Sequence, residues 1–335
     1  MNNKIALDAM GGDFGPTVVV PAALKALKRY DDIHLILVGD RALLEQELER
    51  ASASESDRLQ IHHASQVVEM NEPPAQALRS KKDSSMRVAI NLVKDNHAQA
   101  CVSAGNTGAL MATARYVLHT LAGIDRPAIN TTLPSLNGHT HMLDLGANVD
   151  CKAENLFQFA VMGSVLASAV DEIAKPRVGL LNVGSEAIKG NDQVKEANEL
   201  LSKSSLNYIG YVEGDDIFCG DVDVIACDGF VGNVSLKTSE GVAKLISSYA
   251  KKSFSKNMFT KFIALLATPI LKEFKHSIDP RRYNGASLLG LKGIVIKSHG
   301  GADALSFENA ISIAYIEAKK GVPKLIDKQL ESYLT

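Results

Sequence analysis

Residues 5–16 read IALDAMGGDFGP, an apolar run that leads at once into a glycine-rich turn. The run is typical of a strand, and Pro16 is suited to the first turn of a helix. Glycines in such a turn let backbone N–H groups approach an anion, and the N-terminus of the following helix directs its positive dipole end to the same point. The stretch predicts an α/β unit whose strand-to-helix turn binds a phosphate-type ligand. The candidate binding residues in this turn are Asp8, Gly11 and Gly12.

Four further polar turns that contain glycine follow predicted strands later in the chain. They are residues 103–108, 144–148, 184–192 and 228–233. Right-handed crossovers between parallel strands place such turns at one edge of a sheet, where open α/β folds bind their ligands. Each turn alone is compatible with an ordinary loop, but the five together predict one continuous site.

The composition is that of an ordinary folded protein. Of the 335 residues, 46% are hydrophobic and 22% are charged, and a formal net charge of −2 offers nucleic acid no general attraction. Four scattered cysteines without a CxxC pair predict reduced thiols. The N-terminus lacks signal-peptide features, and the longest apolar region, residues 259–271, is shorter than the ~18 residues of a spanning helix. We therefore expect neither export nor a membrane span.

Short runs rich in β-branched residues alternate with amphipathic helical patterns along most of the chain. Helices such as residues 84–96 and 154–174 separate the runs, which favours parallel strands with helices on both faces of the sheet. The prediction is an α/β fold of three α/β/α layers with a largely parallel sheet, in a single domain over residues 1–335. The predicted strands after the first are 33–38, 100–103, 142–145, 178–183, 222–227 and 294–297.

One segment, residues 241–280, breaks this alternation with a helical pattern throughout. Its apolar residues recur every three or four positions beside a lysine-rich flank. One interpretation is a helix pair buried in the core or in a dimer interface, because most amphipathic helices bury their apolar face. The other is a projecting amphipathic hairpin, kinked at Pro269, that contacts a membrane surface or an acidic protein. The candidate membrane-contact residues are Phe259, Phe262, Ile263 and Leu266.

Several motifs of nucleotide enzymes and hydrolases do not occur in the chain. The turn after the first strand departs from GxGxxG, and neither GxxxxGK[ST] nor GxSxG is present. These absences argue against a nicotinamide cofactor, a nucleotide enzyme and a serine hydrolase. His139 and His141 lie two apart on a predicted strand and face the same way, as a metal-binding pair does. Because the sequence offers no evident third ligand, no metal site is predicted.

The turns at residues 184–192 and 228–233 provide the two candidate catalytic side chains. Lys189 is a flexible cation beside glycine, suited to a phosphate or to an oxyanion of the transition state, although a lone lysine is usually a solvated surface residue. Asn233 can donate its amide to a carbonyl oxygen, with helix capping as the alternative for it and for Asn106. The other candidate substrate-binding residues are Ser103, Asn106, Thr107, Asp144, Asn148, Ser185, Asp228, His299 and Gly300.

Six strings in chain order resemble the bacterial acyl-ACP:phosphate acyltransferase (PlsX) family. They are LDAMGGDFGP (7–16), SAGNTGALM (103–111), LDLGANVDCK (143–152), NVGSEAIKGND (182–192), CDGFVGNVSLK (227–237) and SHGGAD (298–303). Together they span essentially the whole chain, and six such strings in order are highly specific. No motif position departs from the family pattern.

The resemblance implies a fold similar to phosphate acetyltransferases and to isocitrate and isopropylmalate dehydrogenases, in a homodimer. It implies transfer of a long-chain acyl group from acyl carrier protein to inorganic phosphate, giving acyl phosphate for the first acylation of glycerol 3-phosphate in phospholipid synthesis. It also implies no cofactor or metal requirement. The enzyme is expected to be cytoplasmic, in peripheral contact with the membrane or with the membrane glycerol-3-phosphate acyltransferase. The family's phosphate-acting lysine and helix-starting asparagine fall on Lys189 and Asn233.

An acidic carrier protein needs a basic docking surface, because opposite charges steer the encounter. The candidates for that surface are Lys272, Lys275, Arg281 and Arg282. Two alternatives to this function stay open. A phosphate acyltransferase that uses acyl-CoA needs a nucleotide-binding surface, whereas a non-catalytic membrane-surface adaptor for lipid enzymes leaves Lys189 and Asn233 dispensable.

Overall fold

A single eleven-stranded sheet organises the part of the chain that the structure describes. The structure is a computed structural model that describes residues 3–277 and 279–334, without the side chains of 275–277, 280 and 332–334. The strands are β1 (Asn3–Asp8), β2 (Ile33–Gly39), β3 (Leu59–His63), β4 (Ala100–Ser103), β5 (Ala128–Ser135), β6 (Gly138–Leu143), β7 (Val178–Leu181), β8 (Tyr208–Val212), β9 (Val224–Ala226), β10 (Ala286–Leu289) and β11 (Ile294–Lys297). Their spatial order is β3-β2-β1-β4-β11-β10-β5-β6-β9-β7-β8.

Helices cover both faces of this sheet. They are α1 (Pro16–Arg29), α2 (Arg41–Arg50), α3 (Pro74–Ser80), α4 (Ser85–Lys94), α5 (Thr107–Leu118), α6 (Ala153–Val170), α7 (Asp192–Ser202), α8 (Gly229–Phe254), α9 (Met258–Leu266), α10 (Thr268–Ser277), α11 (Ala304–Lys320) and α12 (Val322–Leu334). Ile5 and Leu7 of β1 pack into a core with α1, α2 and α11, whereas Ala6 between them packs into a core with α4 and α5. This alternation confirms the predicted three-layer arrangement.

The sheet consists of two parallel halves that run in opposite directions. Strands β1, β2, β3, β4 and β11 form one half, and β6, β7, β8 and β9 form the other. The antiparallel pairings β11–β10, β10–β5 and β5–β6 join them. The largely parallel sheet is therefore confirmed, but the expectation that all strand-end turns share one edge is wrong, because the central antiparallel strands reverse the chain.

The strand ends of both halves nevertheless fall on one row of paired residues across the sheet. The row passes through Leu7, Val102, Ile296, Ser287, Asn130, Leu143, Ala226 and Leu180. The two halves approach this row from opposite ends of the sheet. The residues that follow this row therefore lie next to it from both sides. They are Asp8 and Ser103, the last residues of β1 and β4, and Asp144 and Cys227, the first residues after β6 and β9.

Helix α6 is long and apolar enough to cross a membrane by length and composition, with a mean hydropathy of 1.2 over its 18 residues. In the structure 56% of that window is buried. Leu156, Phe159 and Met162 pack into the core of the second half of the sheet, together with α7 and α12. Its apolar character is therefore explained by its position as a core helix.

The helical segment near residues 241–280 differs from the prediction in its boundaries. Position 241 lies inside α8, which begins at Gly229 and continues for 26 residues to Phe254. Two shorter helices, α9 and α10, follow it. Pro269 is the second residue of α10, so it begins a new helix where a kink was expected. No residue of α9 is buried, which excludes the interpretation of this face as part of the chain's own core.

Candidate active site

Three glycine-containing turns meet at the carboxyl ends of β1, β4 and β11. A side-chain carbon on Gly11 would lie 2.9 Å from the backbone nitrogen of Gly105. One on Gly12, whose φ is +87°, would lie 2.9 Å from the carbonyl oxygen of Gly300. The backbone nitrogen of Asp13 donates to that same carbonyl at 2.9 Å. Only glycine permits this approach. The three turns therefore form a compact cradle that precedes the N-termini of α1 and α5, and helix N-termini are places where proteins bind anions.

A buried hydrogen-bond network holds the cradle together. The Ser103 hydroxyl donates to Asp8 Oδ2 at 2.6 Å and accepts from the backbone nitrogen of Gly105 at 3.1 Å. The backbone nitrogen of Gly11 donates to Asp8 Oδ1 at 3.2 Å. Burial raises the pKa of Asp8, although these hydrogen bonds oppose the shift. Because Asp8 and Ser103 are each 1% exposed, they position the turns and do not face a ligand directly.

Lys297 is a site residue that the sequence analysis missed. Its Nζ atom donates to the carbonyl oxygen of Ala104 at 3.2 Å and to that of Ser298. Burial lowers the pKa of this ammonium to about 8, an effect that the charge of Lys237 reinforces and those of Asp8 and Asp13 oppose. The signal was present in the sequence, because a lysine at the end of the apolar run 294–297 directly precedes the SHGG turn.

The N-terminus of α5 contributes main-chain groups to the same region. Asn106 is its N-cap, and its side chain accepts from the backbone nitrogen of Ala109 at 3.0 Å. The amide nitrogen of Asn106 donates to the carbonyl oxygens of Met70 at 2.9 Å and Glu72 at 3.0 Å. The side chain of Asn106 is therefore explained by the capping alternative. Thr107 in the first turn is exposed, so its hydroxyl is accessible to a ligand.

His299 is exposed at the end of the cradle. Its Nδ1 atom accepts from the backbone nitrogen of Gly301 at 3.0 Å, and its own backbone nitrogen donates to Asn284 Oδ1 at 3.0 Å. With Nδ1 as the acceptor of this hydrogen bond, the N–H group of the ring is at Nε2. His299 can therefore offer that N–H group to a ligand bound at the turns.

A second group of predicted residues lies where β6 and β9 end. The Asp144 carboxylate accepts from the backbone nitrogen of Ile129 at 2.8 Å, from that of Asn148 at 2.7 Å and from the Asn148 amide at 3.0 Å. Burial raises the pKa of Asp144. Asp228 is the N-cap of α8 and accepts from the backbone nitrogens of Phe230 and Val231. Asp144, Asn148 and Asp228 therefore shape this loop and start the helix.

Asn233 lies within the second turn of α8, so the capping alternative for this residue is wrong. A side-chain carbon on Gly146 would lie 3.5 Å from both Cβ and Cγ of Asn233. The asparagine is exposed, and none of the hydrogen bonds among the described residues occupies its side-chain amide. The loop that follows β6 thus packs against Asn233 and leaves its N–H groups free for a ligand.

Lys189 lies on a separate exposed loop. Its backbone nitrogen donates to the carbonyl oxygen of Glu186, and its Cγ atom lies against Gly184. Within residues 3–277 and 279–334 its ammonium forms no ion pair, and Ser185 beside it is also exposed. The structure does not bring Lys189 and Ser185 into contact with the other site residues. A ligand or a closing movement of this loop would have to join them.

Side chains from both halves of the sheet meet between the two groups. Met111 of α5 and Leu236 of α8 pack against one hydrophobic cluster that contains Leu145 and Cys227. Lys237 of α8 lies close enough to Lys297 for their charges to interact. The turns beside Lys297 and the helix α8 are therefore neighbours in the structure.

The comparisons with known proteins identify the family. The model of a family described as fatty acid synthesis protein matches residues 3–325. A phosphate acyltransferase of Alkalilimnicola ehrlichii is 64% identical over 330 residues, which cover 98% of this chain and 96% of the relative. One of Nitrosococcus oceani is 62% identical over 335 residues, covering 100% and 98%. The chain belongs to the phosphate acyltransferase family.

Membership of the phosphate acyltransferase family makes this chain an acyltransferase of lipid biosynthesis. Its fold agrees with solved structures of distant proteins. A phosphotransacetylase from Streptococcus pyogenes matches with a TM-score of 0.65 at 17% identity, over 95% of this chain and 94% of that one. The EutD phosphotransacetylase from Staphylococcus aureus matches with a TM-score of 0.62 at 16% identity, over the same shares. The predicted similarity to phosphate acetyltransferase folds is thereby confirmed.

The predicted carrier-binding residues of this phosphate acyltransferase differ in availability. Arg281 pairs with Asp279 at 2.6 Å and with Asp303 at 2.9 Å, so its charge is neutralised within the chain and it is a poor docking residue. Lys272 and Arg282 are exposed. The side chain of Lys275 lies outside the described part.

The predicted membrane-contact residues all lie on the exposed surface of α9. Phe259 is 71% exposed, Phe262 is 56% exposed, Ile263 is 40% exposed and Leu266 is 67% exposed. Ile270 and Phe274 on α10 extend the apolar surface at 71% and 49%. A contiguous apolar surface on a folded chain marks a contact site for a partner or a membrane.

Proposed function

We propose that this acyltransferase transfers a long-chain acyl group from acyl carrier protein to inorganic phosphate. The cradle at Gly11, Gly12 and Gly300 carries the proposal, because α1 and α5 begin after its turns and helix N-termini favour an anion without a nucleotide motif. Phosphate bound there would lie near α8, because Lys297 beside the turns interacts with Lys237 of that helix. An acyl thioester that enters along α8 would place its carbonyl near Asn233.

The chemistry needs positioning and charge stabilisation more than a covalent intermediate. A phosphate oxygen attacks the thioester carbon and forms a tetrahedral oxyanion, and the carbon–sulfur bond then breaks. Hydrogen phosphate and the acyl thioester give acyl phosphate and a free thiol, so the proton of hydrogen phosphate ends on sulfur. We assign the oxyanion to Asn233 and the phosphate charge to the cradle and Lys189. Lys297, whose pKa lies near 8, is suited to carry the proton.

The role of Lys297 predicts a pH profile. Burial lowers its pKa to about 8, so the ammonium form is lost as pH rises through that value. If the protonated form acts, turnover at saturating substrates should fall about tenfold per unit above this pH. The arginine in Lys297→Arg keeps its charge at all these pH values. The variant should therefore lose the fall in turnover above pH 8, even if its maximal turnover is lower. If Lys297→Arg has a normal melting curve and its turnover still falls above pH 8 as in the wild type, that fall belongs to another group.

Phosphate-dependent release of carrier protein from a long-chain acyl carrier is the experiment that tests the function. We expect release to require both phosphate and intact acyl carrier, with acyl phosphate as the second product. The same assay with an acyl-CoA of equal chain length addresses the alternative donor. Faster turnover with acyl-CoA would identify that donor instead, and no release from either would favour the adaptor.

The exposed cations near α10 fit the docking of an acidic carrier protein. Lys272 and Arg282 are exposed there, and Lys261 on α9 adds a further charge. Charges at the rim of an interface mainly accelerate the encounter and are screened by salt. The carrier would then arrive beside the apolar surface of α9 and α10, which can receive its acyl chain.

We also propose that α9 contacts the cytoplasmic face of the membrane in a homodimeric enzyme. The apolar face of α9 beside Lys256 and Lys261 has the chemistry of an interfacial helix on anionic lipid. A separate apolar stripe on α8 supports the dimer, since α9 can then contact lipid while the stripe on α8 contacts a second copy of the chain. The exposed residues of this stripe are Val242, Leu245, Ile246 and Tyr249.

The double substitution of Phe259 and Phe262 by aspartate separates lipid contact from dimer contact. At 71% and 56% exposure these side chains contribute little to the fold, so the melting temperature and solution activity should stay near wild type. Co-sedimentation with anionic vesicles should be lost. Aspartates at the exposed Ser247 and Ser248 of α8 add the same charge away from α9 and should retain sedimentation. Dissociation of the dimer by the α9 variant would show that the face is an interface instead.

A further inference from the structure

Three potential metal ligands converge away from the candidate active site. His139 Nε2 lies 3.0 Å from Asp171 Oδ1, and His141 Nε2 lies 2.7 Å from Asp171 Oδ2. One ligand atom from each residue falls within 4.8 Å of the other two. The two histidines project from the same face of β6, as the sequence predicts. Asp171, which follows α6 as its C-cap, is the third group that the sequence does not reveal.

We propose that His139, His141 and Asp171 form a binding site for a divalent transition metal ion such as Zn²⁺. Two imidazole nitrogens and one carboxylate oxygen are ligands that Zn²⁺ accepts, and three protein ligands leave a position for water. The carboxyl end of α6 adds the negative end of a helix dipole beside Asp171, which favours a cation. The His139 side chain is 36% exposed, so an ion can reach the site from solvent.

The surroundings of His141 match those of a ligating histidine. A histidine that binds metal through Nε2 carries its proton on Nδ1 and donates it to a second group. His141 Nδ1 lies 3.5 Å from the Asn130 amide and 3.5 Å from Thr132 Oγ1. Asn130 is 3% exposed, and its side-chain oxygen has no hydrogen-bond partner among the described residues. Rotating the side-chain amide of Asn130 by about 180° would place its oxygen next to His141 Nδ1. There the oxygen could accept the hydrogen bond that a metal-bound His141 donates.

Protons compete with the metal for these nitrogens. Burial opposes ionisation of Asp171, but hydrogen bonds from His139 and His141 hold the pKa of its carboxyl well below the usual range. Asp223, which pairs with Arg177, adds negative charge near His139. A metal ion would displace the protons from both Nε2 atoms and bind between the rings and the carboxylate. Asp171 and the nearby Asp223 therefore supply negative charge that favours a cation at this point.

The position of the site indicates a structural effect of the ion. His141 and His139 lie two and four residues before Leu143, in the part of β6 that is remote from the strand-end loops. They pair with Thr132 and Pro134 of β5. A bound ion would clamp the β5–β6 hairpin to the end of α6, and it would stabilise the folded chain because the unfolded chain lacks the site.

Titration of the full-length, chelator-treated protein with ZnCl₂ against a chromophoric chelator tests the proposal. We expect one tightly bound ion per chain and a Zn²⁺-dependent rise in melting temperature. His139→Ala and Asp171→Asn should each weaken the affinity about tenfold or more and remove the rise. Co²⁺ bound to the wild type should show the visible bands of a four-coordinate site, and these should be lost in both variants. His97→Ala removes an exposed histidine outside the cluster and should behave as wild type.

The proposal is overturned if chelator-treated wild type binds no Zn²⁺ in the micromolar range. It is equally overturned if His139→Ala and Asp171→Asn bind Zn²⁺ as the wild type does, because the ion then lies elsewhere. Acyl transfer is not needed for any of these measurements, so the result is independent of the proposed function.

Discussion

Replacing Asn233 with alanine should lower turnover by about 10² to 10³, which corresponds to ~3 kcal/mol of barrier for one lost oxyanion donor. The helix should keep its stability, because the cap of α8 is Asp228 and the Asn233 side chain is exposed. The measurement is acyl phosphate formation per folded molecule, with a melting curve on the same sample. KM for the acyl donor should change less than kcat, since the amide acts mainly on the oxyanion.

Two neighbouring substitutions calibrate the Asn233 result. Asp228→Ala removes the cap and should cost ~1 kcal/mol of stability, which shows what the loss of a cap looks like in this helix. Thr238→Ala changes an exposed side chain farther along α8 and should leave turnover unchanged. Near-normal turnover of Asn233→Ala would remove the residue from the mechanism.

Lys189→Ala should lower turnover by about 10² or more, the effect of losing one contact to the charge of the transition state. Its loop is exposed and its ammonium has no ion pair within the described residues, so stability should be unaffected. The KM for phosphate should rise as well, because the same charge attracts the nucleophile. Lys189→Arg should lose less turnover and raise the KM for phosphate less than Lys189→Ala does, since arginine retains the charge with a different shape.

Lys203→Ala provides the matched control for Lys189→Ala. It removes an exposed lysine directly after α7, whose side chain is 79% exposed and lies 3.8 Å from Glu199. This variant should retain the turnover and the phosphate KM of the wild type. If Lys189→Ala behaves in the same way, Lys189 is a solvated surface residue and the phosphate charge is balanced elsewhere.

The local elements were largely predictable from the sequence because their signals are local. The apolar runs at residues 100–103 and 294–297 coincide with β4 and β11, and the glycine turn after β1 has the expected form. The reversal of the second half of the sheet was not predictable in this way. It depends on the long-range pairing of β10 with β5, and the short β10 has no distinct alternation of its own.

The candidate site was predictable by residue type but not by role. Asn106 and Asp228 proved to be helix caps, and Arg281 proved to be neutralised by Asp279 and Asp303. Capping by Asn106 is an alternative that the sequence already offers, whereas the pairing of Arg281 with Asp303 depends on a partner 22 residues away. Lys297 was missed because a lysine at a strand end usually reaches solvent, and only the packing of the turns buries it. Asp171 lies 30 residues beyond His141 and meets it only through the length of α6.

The shared row of strand ends has a consequence for redesigning this enzyme. Main-chain hydrogen bonds running across the sheet set the spacing between the proposed phosphate site and the start of α8, so substitutions in the outer helices should leave that spacing intact. In the proposed function, phosphate and the acyl donor are then recognised by separate parts of the molecule that the sheet holds at a fixed distance. Exchanging α9 and α10 for those of a relative should transfer the preference for an acyl donor without altering the KM for phosphate.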